Sequence, residues 1–174
     1  MNKLLLVAAA GLSIAALSSP ASAADGTVTI TGTVSTVTCS INAGTPNIAV
    51  TLPTVPTTSL KVSGDTAGSQ TFNIALTGCG ALTKATGYFE PGANTDFTTG
   101  NLKNNGTASN VQVRVLNADL TPITMGASLA TQGSKQITLA SGAGNLGYVA
   151  QYIATGLGGA GTVTTNVQYT VVYQ

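Results

Sequence analysis

The stretch TVTTNVQYTVVYQ (Thr162–Gln174) decides the fold. Val167, Tyr169, Val171 and Tyr173 fall on one face of an extended chain, because side chains alternate along a strand. No turn or further strand follows to cover its edge, and an uncovered apolar edge is a liability that proteins normally blunt. A second orphan strand lies near the other end, in GTVTITGTV (Gly26–Val34). A spare strand at one end and an absent one at the other fit a subunit that finishes its neighbour.

The first residues read as a signal peptide, 1–23. Lys3 is the charged region, Leu4–Leu17 the apolar run, and Ala21-Ser22-Ala23 a small-residue cleavage site. The run stops at Ser18-Ser19-Pro20, short for a bilayer span, and no later stretch would make a membrane helix. Cleavage leaves a chain of about 150 residues, enough for one domain.

The whole chain carries six basic residues against five acidic ones and no His. Without Lys3 the balance is neutral, which removes the electrostatic case for nucleic acid and for an anionic membrane surface. Low charge with ordinary hydrophobic content is not the composition of a disordered chain. It does favour association. Without His a Ser-His-Asp triad is impossible. The scattered carboxylates offer no pair for acid–base chemistry, so the chain does not read as an enzyme and implies no cofactor.

In an exported chain Cys39 and Cys79 read first as a disulfide. Closing that loop stabilises the fold by roughly 4 kcal/mol in the chain-entropy account. Metal is the weaker reading, since two distant Cys supply half of a tetrahedral site.

Beyond the leader the chain reads as all-β. Thr and Val runs alternate with polar residues and are broken by Asn42-Ala43-Gly44, Pro53, Pro56, Pro91-Gly92 and Asn104-Asn105-Gly106. Strands are expected near Thr27–Ile41, Ile48–Leu52, Thr71–Thr77, Ala85–Glu90, Val111–Asn117, Lys135–Leu139, Leu146–Ala154 and Thr162–Tyr173. Short strands, frequent turns and one disulfide point to an immunoglobulin-like sandwich. Absence of Trp separates it from antibody-type domains. GLGGAG (Gly156–Gly161) satisfies a dinucleotide-binding spacing, but a β run follows where a helix is required, so a flexible hairpin loop is expected. Asn105-Gly106-Thr107 fits a glycosylation sequon and reads more economically as a turn.

In order and spacing these segments resemble the pilin subunits of chaperone–usher fimbriae, above all the type 1 major subunits. GTVTITGTVSTVTCSINAG (Gly26–Gly44) resembles their amino-terminal extension and first cysteine strand, and FNIALTGCG (Phe72–Gly80) their second. NNGTASNVQVRVLNADLTPI (Asn104–Ile123) is similar to the middle strand and turn. GYVAQYIATG (Gly147–Gly156) is similar to a later strand, with Gln151 where many relatives carry a basic residue. QYTVVYQ places Tyr173 one from the end, as the family does.

The resemblance implies an incomplete immunoglobulin-like sandwich that lacks its final strand, completed by a donor strand from a chaperone or a neighbouring subunit. Residues 24–35 would be the donor extension and 36–174 the pilin domain. Val28, Ile30, Gly32 and Val34 would enter a neighbour's groove, with Gly32 where no side chain fits. Main-chain bonds supply affinity in such strand addition, and alternate side chains supply specificity. From alternation alone, an ordinary first strand packed on its own core fits equally well.

Tyr173 and the carboxylate of Gln174 would mark the chaperone-recognition end of a last strand that carries Val167, Tyr169 and Val171, held by a charge-assisted contact. Tyr173 packed plainly on its strand is the simpler alternative. The implied partners are a periplasmic pilus chaperone, an outer-membrane usher and other copies of the chain. The implied place is the cell surface, and the implied output is adhesion and biofilm formation. A minor adaptor subunit of the same fimbria is the near alternative, and a self-contained secreted carbohydrate-binding sandwich the distant one.

Overall fold

The computed structural model describes residues 28–32 and 39–174. The signal-peptide reading and Val34 lie outside them. The chain divides between Val34 and Ser35 into two units, and the elements below belong to the second. Among the described residues the strands are β1 (Ser40–Ile41), β2 (Thr66–Thr77), β3 (Lys84–Phe89), β4 (Thr95–Asp96) and β5 (Asn101–Leu102), followed by β6 (Val111–Asn117), β7 (Pro122–Ile123), β8 (Gln136–Thr138), β9 (Gly144–Ala154) and β10 (Tyr169–Tyr173).

They form two antiparallel sheets. The larger runs β1-β2-β9-β6-β5-β4 with β7 on β6, and the smaller runs β10-β3-β8. Alternation explains which residues face inward. In β6 Val111, Val113 and Val115 are buried while Gln112 and Arg114 stay half-exposed. The core joins both sheets, through Ile74 and Leu76 of β2, Leu146 and Tyr148 of β9, Phe89 of β3 and Val171 of β10. Burying each large apolar side chain stabilises the fold by about 1.5–3 kcal/mol. Tyr148 of β9 lies in this core. Its ring packs edge-on to Phe89 at 5.0 Å and tilted to Phe72 at 5.5 Å.

The disulfide joins Cys39 to Cys79. Both cysteines are buried, and Cys79 N donates to Gly142 O at 2.9 Å, which docks the bridge on the turn before β9.

Several elements differ from the sequence reading. Among the described residues the expected strand Thr27–Ile41 is present only at Ser40–Ile41, β2 begins at Thr66 rather than Thr71, and β4, β5 and β7 have no counterpart in the reading. Residues 48–52 pair with no strand among the described residues. The final run pairs only from Tyr169, and 162–168 is extended without a strand partner. The glycine-rich loop is a crossing between sheets rather than a hairpin, because β9 and β10 lie in different sheets. It is also pinned, since Gly158 N donates to Leu60 O and Gly159 N to Ser109 O.

Candidate functional site

The segments 46–52 and 163–169 form the lips of one groove of about 940 Å³. Its floor is apolar core: Phe72, Phe89, Leu102, Val113, Val115 and Ala150. Each lip alternates. Ile48, Val50 and Leu52 are half-buried, whereas Asn47, Ala49 and Thr51 are exposed. Val163, Thr165, Val167 and Tyr169 are half-buried, whereas Thr164, Asn166, Gln168 and Thr170 are exposed. Both lips therefore alternate in burial as strands do, and among the described residues no strand lies between them.

Backbone polarity makes the vacancy sharper. The carbonyls of Thr162, Thr164 and Gln168 accept from Ala108, Asn105 and Glu90 amides at 2.8–3.0 Å. Side chains reinforce that same edge. Asn104 Oδ1 accepts from Thr164 N, Thr107 Oγ1 from Thr162 N, and Asn94 Nδ2 donates to Asn166 O. Successive residues of a strand present their backbone groups to opposite edges. The N–H and C=O groups of Val163, Thr165 and Val167 thus face the groove, as do those of Tyr169, Val171 and Tyr173 along β10. On the other lip, among the described residues, no backbone–backbone hydrogen bond ties 46–55 to another element. Such a pair of open ladders is a template for one more strand.

One contact crosses the groove: Tyr169 Oη donates to Pro46 O at 2.7 Å. Burial raises the pKa of the Tyr169 phenol, so it is a protonated donor at neutral pH. Among the described residues Thr165 Oγ1 is the buried side-chain oxygen that lacks a partner. It belongs to the groove lip, where a tightly paired interior would not leave it.

The residues expected to matter divide as follows. Val167 and Tyr169 line the groove. Val171 is buried in the core beside it, and Tyr173 is half-buried opposite Ala85. The carbonyl oxygen of Gln174 accepts from the amides of Thr83 and Lys84, both at 2.9 Å. Val28 and Ile30 are 87% and 88% exposed, and a Cβ on Gly32 would meet nothing within 4 Å.

Sequence reading missed Ile48, Val50 and Leu52 as site residues, although their alternation was visible. It also missed the Asn94, Asn104 and Thr107 brace, which carries no sequence signal beyond turn chemistry. Among the described residues no cluster of three metal-ligating side chains occurs, and no helix is long and apolar enough to cross a membrane.

An all-β, immunoglobulin-like domain is the architecture of a pilin subunit. The family model of the type-1 fimbrial protein, A (FimA) matches residues 52–174. The chain is 45% identical over 172 residues to the F17 fimbrial protein of Escherichia coli, covering 94% of this chain and 96% of that one. It is 43% identical over 168 residues to the major fimbrial subunit SMF-1 of Stenotrophomonas maltophilia (strain K279a), covering 92% and 99%. The fold is similar to a solved chaperone–usher pilus at TM-score 0.60 and 20% identity, covering 87% of this chain and 96% of that one. It is also similar to the P pilus rod subunit PapA at TM-score 0.58 and 15% identity, covering 78% and 99%. The chain belongs to the type-1 fimbrial protein family. It is a structural subunit of surface fimbriae that polymerises with other pilins, not an enzyme.

Proposed function

We propose that the groove receives a strand from another polypeptide, first from a periplasmic chaperone and then from the amino-terminal arm of the next subunit. The supporting observation is the pair of lips, whose odd-numbered residues from Val163 to Tyr173 offer unsatisfied backbone groups over an apolar floor. One added strand pairs with both ladders and covers Phe72, Phe89 and Val113. Open apolar surface of this kind also predicts that the isolated subunit associates or aggregates.

The arm 24–35 is the donor. Val28, Ile30 and Val34 supply the apolar alternate face, and Gly32 leaves space beside the lip. The exposure of Val28 and Ile30 leaves their side chains free to pack elsewhere. Tyr173 and Gln174 form the end that the chaperone holds, and export runs through the periplasm to an outer-membrane usher. The assembled fibre supports adhesion and biofilm formation, and similarity to SMF-1, a major subunit, favours a place in the shaft.

Deleting 24–33 tests the assignment. The variant is expected to remain in a one-to-one complex with its chaperone while fibre elongation stops. Fibres assembled from that variant would overturn the role of the arm.

A further inference from the structure

The bond between Tyr169 and Pro46 crosses the groove that the proposed strand would enter. Tyr169 is on the inward face of one lip, and its ring reaches across to the carbonyl of the other. Pro46 has no N–H, so its only backbone offering to a neighbour is that carbonyl. A strand inserted between the lips would bring its own N–H groups to the carbonyls that line them. The phenol therefore occupies an acceptor on the lip the incoming backbone lies along. Among the described residues the remainder of that lip, through Val55, makes no backbone–backbone hydrogen bond to another element, so this side-chain bond is the polar tie between the two lips.

We propose that Tyr169 is the gate residue of the groove: its hydroxyl holds the lips together in the strand-free subunit and is displaced from Pro46 O when a donor strand enters. This rests on the groove being the strand-accepting site. The bond lies near the β10 end of the groove. At the other end Val163 packs against the Leu60 cluster beside Val55, with no polar crossing contact recorded among the described residues. A strand therefore meets an unlatched end at Val163 and a latched end at Tyr169. Breaking the latch is then one step of docking. Gating of this kind slows entry without being required for the docked state, in which packing of the ring can persist.

The test compares the full mature subunit with Tyr169→Phe. Phe keeps the ring and its packing and removes only the hydroxyl. A fluorescently labelled peptide spanning Asp25–Ser35 is mixed in excess with freshly refolded subunit, and association and dissociation are followed by anisotropy. Loss of one hydrogen bond that must break on entry predicts association faster by about 2- to 10-fold, with dissociation changed by less than about 2-fold. Equal or slower association for Tyr169→Phe, with peptide bound by both proteins, would overturn the gate and leave the groove assignment standing. Absence of peptide binding to the unsubstituted subunit would overturn the groove assignment, and the gate with it. A role in packing alone would leave both rates unmoved, which separates it from gating.

Discussion

The side-chain amide of Gln132 pairs with the backbone of Phe89 as a neighbouring strand would. Oε1 accepts from Phe89 N at 2.9 Å and Nε2 donates to Phe89 O at 2.7 Å. Gln132 is fully buried, and the ring it positions is part of the groove floor. β8 pairs with β3 only from Lys84 to Thr86, so beyond that point one side chain substitutes for absent ladder bonds.

Replacing Gln132 with Ala would strand a buried N–H and a buried C=O. Each unsatisfied group costs about 1–3 kcal/mol, so a loss of about 2–6 kcal/mol is expected for the two. Urea unfolding of the subunit completed by a covalently attached donor strand measures it. A change below about 0.5 kcal/mol would mean that water or a neighbour takes over both bonds.

Gly87 is constrained by Tyr148. A Cβ at residue 87 would clash with the Tyr148 hydroxyl, and overpacking a core costs about 1–3 kcal/mol. Gly87→Ala should lower the melting temperature, and adding Tyr148→Phe should recover much of the loss by removing the clashing oxygen. Failure of that second substitution to help would place the strain elsewhere.

The disulfide fastens the start of β1 to the end of β2 across a separation of 40 residues. Cys39→Ser with Cys79→Ser should cost about 2–5 kcal/mol and reduce periplasmic yield. Unchanged melting and yield would contradict a stabilising role.

Asp119 gives a pH-dependent signature. Hydrogen bonds from Lys135 and then Thr121 hold its carboxyl at about 2, below its ordinary 3.8. A depressed folded pKa favours the charged form, so the contribution is present above 3.8 and is lost as pH falls through about 2. Both partners are exposed and the effect is small. Lys135→Met should flatten the stability profile between pH 4 and 2, and an identical slope in that variant would contradict the pairing.

Much of the fold was legible because alternation was strong where one face is buried. β6 is observed as read, Val111–Asn117, and the inward set Val167, Tyr169, Val171, Tyr173 is on one face of the last run. Pairing is a property of two strands, not one. Ile48–Leu52 therefore reads as a strand by pattern while it has no strand partner among the described residues, and it lines the groove instead. The first part of β2, Thr66–Gln70, escaped because Ala67-Gly68-Ser69 has little apolar signal and a register shift falls between Ala67 and Gln70. Gln132 carried no signal at all in the polar run Thr131–Lys135. Gln151 looked like a departure from a basic position. In the structure it accepts two hydrogen bonds from Arg114, its cross-strand neighbour on β6, so the cation sits one strand over.

The most direct test of the central claim is thermal unfolding of the mature subunit beside a fusion in which a copy of Asp25–Ser35 follows Gln174 through a short flexible linker. An open strand position predicts a large rise in melting temperature and conversion to a monomer. Two stable monomers that melt together would mean that the sandwich needs no added strand, and would contradict the account.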